Sequence, residues 1–132
     1  MNKYLVLFFG LLFCACDPPH YIDFENQSKS EVVVTFIKNT DIENWDFYEF
    51  RDIMKGDSII LKVDSGKTET LHFGIGTWSE SEIELLTNSI DQIIIENNDF
   101  KQVYKSNNSI RSLLTNDMSG FWWKTKIYVH IE

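Results

Sequence analysis

The chain has 132 residues, 43% of them hydrophobic and 14% aromatic, and its 12 basic against 20 acidic side chains give a formal charge of -8 at pH 7. A field of that sign repels nucleic acid and anionic lipid, so neutral or basic partners are expected. The length allows one domain with a core of its own.

Lys3 supplies a positive start, and Tyr4 to Phe13 form an apolar run interrupted only by Gly10. A membrane-spanning helix needs about twenty apolar residues, so this run is too short to be an anchor. A buried core helix is also a poor fit, because Phe8, Phe9 and Leu11 to Phe13 leave no polar face for water. The pattern is that of a secretory signal peptide. Its end, Leu11-Leu12-Phe13-Cys14-Ala15-Cys16, resembles a bacterial lipobox, with a small residue directly before a cysteine. The resemblance implies a cut after Ala15, leaving Cys16 as the first mature residue, modified by a diacylglyceryl group and palmitate-type acyl chains. Each buried methylene contributes about 0.8 kcal/mol, so several chains hold a protein firmly to a bilayer.

Residues 1–15 are therefore expected to be a signal-peptide helix, 16–20 a lipidated tether and 21–132 a single domain. Removing the signal deletes only Lys3 from the charge balance and leaves 11 basic against 20 acidic side chains, a net of -9. Both cysteines lie at the signal boundary. The domain thus has no pair to bridge and depends on its core. Asp17-Pro18-Pro19-His20 advances about 3.1 Å per residue, which places the domain some 10–15 Å from the headgroups. Surface-exported lipoproteins of Bacteroides-type bacteria resemble one another in carrying several acidic residues after the cysteine. Only Asp17 stands here, which favours an outer-membrane lipoprotein facing the periplasm.

Tyr21 to Glu25 alternates, Ile22 and Phe24 on one face and Asp23 and Glu25 on the other, as a half-buried strand does. After the polar turn Asn26–Ser30, Glu31 to Lys38 is β-branched and apolar on both faces and reads as a central strand, paired with the first as a hairpin. Asp41 to Asp57 interleaves Ile42, Trp45, Phe47, Tyr48 and Phe50 with acids, compatible with a short strand or a folded-back loop. Ser58–Asp64 and Lys67–Phe73 alternate around Ser65-Gly66 and suggest a second hairpin. Ser79 and Glu82 fit a capping box that opens one or two helical turns. Ile90–Glu96 and Phe100–Lys105 form a third hairpin around Asn97-Asn98. Ile110, Leu113 and Leu114 mark another helical turn, and the last strand alternates through Ile127, Val129 and Ile131. Seven short strands at this spacing predict an all-β, mainly antiparallel fold: a two-sheet immunoglobulin-like sandwich with one or two short helical turns. An open barrel is the alternative.

Ile22-Asp23-Phe24-Glu25-Asn26-Gln27-Ser28 before Glu31-Val32-Val33-Val34, with Tyr104, Leu113, Leu114 and the Trp123–Ile131 strand near the end, resembles small uncharacterised Bacteroidota lipoproteins. The resemblance implies a compartment and a β-sandwich-like domain, and brings no activity with it. The middle of the chain departs from that pattern, with the acidic-aromatic block in place of a Tyr-Pro-Asp turn.

No motif names a reaction. His20, His72 and His130 lack metal-ligand spacing, no metal or cofactor is implied, and no nucleophile elbow, phosphate loop or dinucleotide fingerprint occurs. Asp46, Glu49 and Asp52 lie close together, as chance allows among twenty acids. The chain is expected not to be an enzyme. Trp45, Phe47, Tyr48 and Phe50, joined by Trp78 and Trp122, are the candidate binding surface, suited to a glycan or an envelope protein, unless the rings only fill the core. Ser58, in Asp57-Ser58-Ile59, matches a short O-glycosylation acceptor pattern. The expected role is a lipid-anchored, non-catalytic envelope binding module. The alternative is an immunity-type inhibitor of a periplasmic toxin, suggested by small size, the anchor and acidity.

Overall fold

A computed structural model of the chain describes residues 18–41, 54–120 and 124–132. The signal segment, Cys16, and candidates Trp45, Phe47, Tyr48, Phe50 and Trp122 lie outside the described residues, as do Asp46, Glu49 and Asp52. The elements in chain order are β1 (Pro19–Asn26), β2 (Val32–Lys38), β3 (Met54–Lys55), β4 (Ser58–Val63), β5 (Thr68–Ile75), α1 (Glu80–Ser89), β6 (Ile90–Glu96), β7 (Lys101–Tyr104), α2 (Asn107–Thr115), β8 (Met118–Ser119) and β9 (Lys126–Ile131). They form a two-sheet sandwich, a four-stranded sheet in the order β5-β1-β9-β8 facing a five-stranded one in the order β3-β4-β2-β6-β7. All pairs are antiparallel except β1 with β9, which run parallel from Tyr21–Lys126 to Asn26–Ile131.

The period-2 pattern places the core. Ile22, Phe24, Leu71, Ile127, Val129 and Ile131 point inward from one sheet and Val32, Val34, Phe36, Ile59, Val63, Ile93 and Ile95 from the other, all in a single buried cluster. The rings of Phe24 and Phe36 meet edge to face across the sandwich at 5.6 Å. β2, the run apolar on both faces, is the central strand of its sheet.

Two of the three expected hairpins do not form. β1 and β2 belong to different sheets, and so do β4 and β5; only β6 and β7 pair as their sequences suggest. Alternation states which residues face the core, and it is the same whether a turn returns the chain to its own sheet or carries it across to the other. Here both connections cross, and Asn26 holds them side by side. Its fully buried carboxamide donates to the carbonyls of Ser30 and Val63, each at 2.8 Å, and accepts from the Ser28 amide at 2.9 Å. The backbone of Asn26 also pairs with Lys67 and Gly66 of the second crossing, where Gly66 takes the positive φ of 69° that the tight turn requires.

The tether is shorter than expected. Pro19 and His20 already belong to β1, Pro19 lies opposite Ile75, and the Gly76 amide donates to the Pro18 carbonyl at 2.8 Å. His20 is buried against Phe73 and Trp78, so the fold begins two residues earlier.

α1 opens with the expected capping box. The Glu82 backbone amide donates to Ser79 Oγ, and the Glu82 carboxylate accepts from the Ser79 amide at 2.9 Å. The helix runs ten residues, longer than the apolar pair Ile83 and Leu86 indicates. Its last turn buries Thr87 and Ser89, whose hydroxyls donate to the carbonyls of Glu84 (3.1 Å) and Leu85 (2.7 Å). Polar residues satisfied in this way leave no apolar signature in a sequence. α2 starts at the Ser106 cap, buries Ile110 and Leu114, and is tied to α1 by the Arg111–Glu80 ion pair and by Asn107 donating to Asn88 at 2.6 Å.

Candidate functional site

The parallel pairing of β1 with β9 assembles a polar face that neither strand carries alone. On the outer side of the four-stranded sheet the register sets His72, Tyr21 and Lys126 in one row, Thr70, Asp23 and Tyr128 in the next, and Thr68, Glu25 and His130 in the third. Lys126 lies 5.0 Å from the centre of the Tyr21 ring, and its pKa is raised, chiefly by the hydrogen bond with Tyr21. Asp23 is almost buried and accepts from the Thr70 hydroxyl at 2.5 Å.

In the third row the His130 imidazole bridges two carboxylates. Nδ1 is 2.9 Å from Glu25 and Nε2 is 2.9 Å from Asp117, which follows α2. The Tyr128 ring stacks nearly parallel to His130, 10° between planes and 6.1 Å between centres. The Asp117 hydrogen bond raises the imidazole pKa above 6.5, burial opposes it, and Glu25 adds to the rise. A raised folded-state value means that the stabilisation is complete below the unfolded pKa near 6.5 and disappears as pH climbs through the folded value. The melting temperature of the wild type should therefore exceed that of His130→Gln by more at pH 5.5 than at pH 8.5, and equal gaps at the two values would refute the bridge. With both nitrogens engaged, this ring presents no lone pair to a metal or to a substrate proton. Its role in this arrangement is to hold the α2–β8 junction against β1 and β9.

Beside that bridge a groove of about 310 Å³ opens between α2 and β9. Tyr104, Tyr128 and His130 contribute rings, Ser109, Ser112 and Asn116 line the helix side, and Leu113 and Val129 form the floor. A second hollow of about 190 Å³ shares Tyr104, Leu113 and His130 and extends toward Phe100, Gln102 and Glu132. Rings, hydroxyls and an amide around an apolar floor suit a neutral, hydrogen-bonding ligand or a side chain of a protein partner. The bordering carboxylates Glu25, Asp117 and Glu132 disfavour an anion. No group of three His, Cys, Asp or Glu side chains among the described residues is placed to hold a metal ion.

Trp78 is a correction to the expected aromatic surface. Its ring is buried, edge to face with His20 at 4.5 Å and Phe73 at 5.0 Å, and its indole N–H donates to the Tyr21 carbonyl at 3.2 Å. It fills the end of the core, where its backbone amide also donates to the Lys124 carbonyl at 2.7 Å. Ser58 is half-buried at the start of β4, opposite Lys55 and Ile37. The groove residues were missed in the sequence because Glu25, Tyr104, Asp117 and His130 are far apart along it. The one available signal was the shared outward parity of Tyr128 and His130.

Comparisons with family models, with curated proteins and with solved structures find no match to this chain. No described helix is long and apolar enough to cross a membrane.

Proposed function

We propose that the chain is a lipid-anchored module of the bacterial cell envelope, an outer-membrane lipoprotein facing the periplasm, that acts by binding and not by catalysis. Its contact site is the groove beside His130, and its ligand is an envelope protein or glycan. The lipobox-like end of the signal supports the anchor. The observation that carries the binding reading is the groove itself, with two tyrosine rings and the hydroxyl and amide groups of α2 held around it by the His130 bridge. Its position agrees with anchoring. β1 leaves the tether at Pro19, and Glu25, which contacts His130, lies six residues further along. At about 3.3 Å per residue some 20 Å of strand separates Glu25 from Pro19, so the groove lies at the end of β1 away from the tether.

A photo-reactive residue at Ser112 in the full chain, irradiated in intact cells, is expected to give a cross-linked adduct that Tyr128→Ala abolishes. No adduct, or one indifferent to Tyr128→Ala, would remove the groove from consideration. The anchor is tested separately. Cys16→Ser is expected to leave the signal uncut and to prevent lipid labelling, and unchanged processing would exclude lipidation at Cys16.

A further inference from the structure

We infer that the open edge of β9 along the groove takes an extended segment of a basic envelope protein as an added strand, so that the partner is held through its backbone. The inference rests on the groove being the contact site, and it names the class of ligand that enters there.

The parity of β9 carries the argument. The amides of Tyr21 in β1 and of Gln27 just after it donate to the carbonyls of Thr125 and Ile131 at 3.0 and 2.7 Å, so the odd-numbered residues of β9 turn their backbone groups toward β1. The even-numbered residues then face the opposite edge. The Tyr128 amide does so, donating to the Asp117 carbonyl at 2.9 Å. β8 covers that edge only opposite Lys126 and Ile127, and the residues before Asp117 belong to α2 and not to the sheet. Among the described residues no strand pairs with the edge beyond Asp117, and the His130 amide and carbonyl face the groove without a backbone partner.

The space beside that edge fits one strand. The hollows of about 310 and 190 Å³ share Tyr104, Leu113 and His130, and together they run along β9 from Tyr128 to Glu132. An added strand lies about 4.8 Å from its neighbour and turns alternate side chains to opposite faces. On the inner side those side chains meet Phe100, Tyr104 and Leu113, an apolar surface. On the outer side they meet Glu25 and Asp117, whose side chains stay 40% and 47% exposed while they hold His130, and Glu132 stands at the end of the trough. The strand that fits therefore alternates apolar with basic side chains, and basic charge also suits a chain of net -8. A glycan offers hydroxyls but no regular row of amides and carbonyls with which to continue a sheet. Peptide addition to an edge draws affinity from main-chain hydrogen bonds and selectivity from the alternate side chains. α2 walls the far side of the trough, so a single strand enters and the edge of a whole second sheet does not.

The backbone is tested at position 130. His130→Pro removes the outward amide and leaves the β1–β9 ladder, which uses the odd-numbered residues, in place. His130→Gln loses the same imidazole and keeps the amide. With the photo-reactive residue at Ser112 in the full chain, irradiated in intact cells, the adduct is expected to carry a partner peptide, read by mass spectrometry of its tryptic digest. His130→Gln is expected to retain about ten times the adduct of His130→Pro, the effect of one hydrogen bond lost and its acceptor left unpaired. Coincident melting curves of the two variants show that His130→Pro keeps the fold. A second measurement needs no substitution at position 130: deuterium exchange of the His130 amide is expected to slow about tenfold or more in the adduct relative to the free protein. The inference is overturned if the adduct holds a glycan or a second copy of this chain, if His130→Gln and His130→Pro give equal yields, or if His130 exchange is the same in adduct and free protein. Each of these results leaves the groove as the contact site. The absence of any adduct, or an adduct that Tyr128→Ala leaves in place, overturns the groove itself and this inference with it.

Discussion

Replacing Phe24 with alanine is expected to lower the unfolding free energy by about 3–5 kcal/mol, the largest single effect in this domain. Phe24 is fully buried at the centre of β1, the strand flanked by β5 on one side and β9 on the other. Its ring meets Phe36 of the opposite sheet. Truncation therefore opens a cavity between the sheets, and the strands on either side are hydrogen-bonded and cannot collapse into it. A domain of this size has a total stability of only about 5–15 kcal/mol. The loss should appear as a fall in melting temperature of about 15 °C and a lower urea midpoint with unchanged slope. Tyr21→Ala, on the outward face of the same strand, removes little core packing and serves as the comparison. Equal losses at the two positions would mean that the sandwich is not packed as described.

The second large effect belongs to a polar side chain. Asn26→Ala is expected to destabilise the domain by about 2–4 kcal/mol, because it strips a buried carbonyl of its partner. The Asn26 side chain is the side-chain donor to the Val63 carbonyl, while the Ser30 carbonyl retains the Ser28 hydroxyl at 3.1 Å. Asn26→Asp has nearly the same shape, yet it exchanges the donating amide for a carboxylate aimed at two carbonyl oxygens. It should be at least as harmful as alanine at neutral pH. If Asn26→Asp unfolds at the wild-type urea midpoint, the carboxamide is not what joins the two crossings.

These two residues mark how far the chain could be read in advance. Phe24 declares itself by position, an aromatic ring at an alternate place in a strand. Asn26 reads as one of five polar residues in a turn, and its importance depends on Val63, thirty-seven residues away. The capping box at Ser79 and Glu82 and the β6–β7 hairpin were legible because every group involved lies within a few residues of its partner. The crossings of β1 to β2 and of β4 to β5 were not, since two-residue alternation is blind to the sheet in which a strand lies. The groove followed the same rule: Tyr128 and His130 share a face by alternation alone, but only the β1–β9 pairing places Glu25 next to them.

By itself, the sequence determined the seven longer strands, their inward residues and the helix start at Ser79, all consequences of local periodicity and of contacts within a turn, whereas the two-residue strands β3 and β8 are too short to show a period. The tertiary structure decided which strands pair, that β1 and β9 run parallel, that Trp78 is buried, and that Glu25, His130 and Asp117 meet. Parallel strands require a long connection between them, and here nearly the whole domain is that connection. The residues that build the groove are therefore neighbours only after the chain has closed on itself.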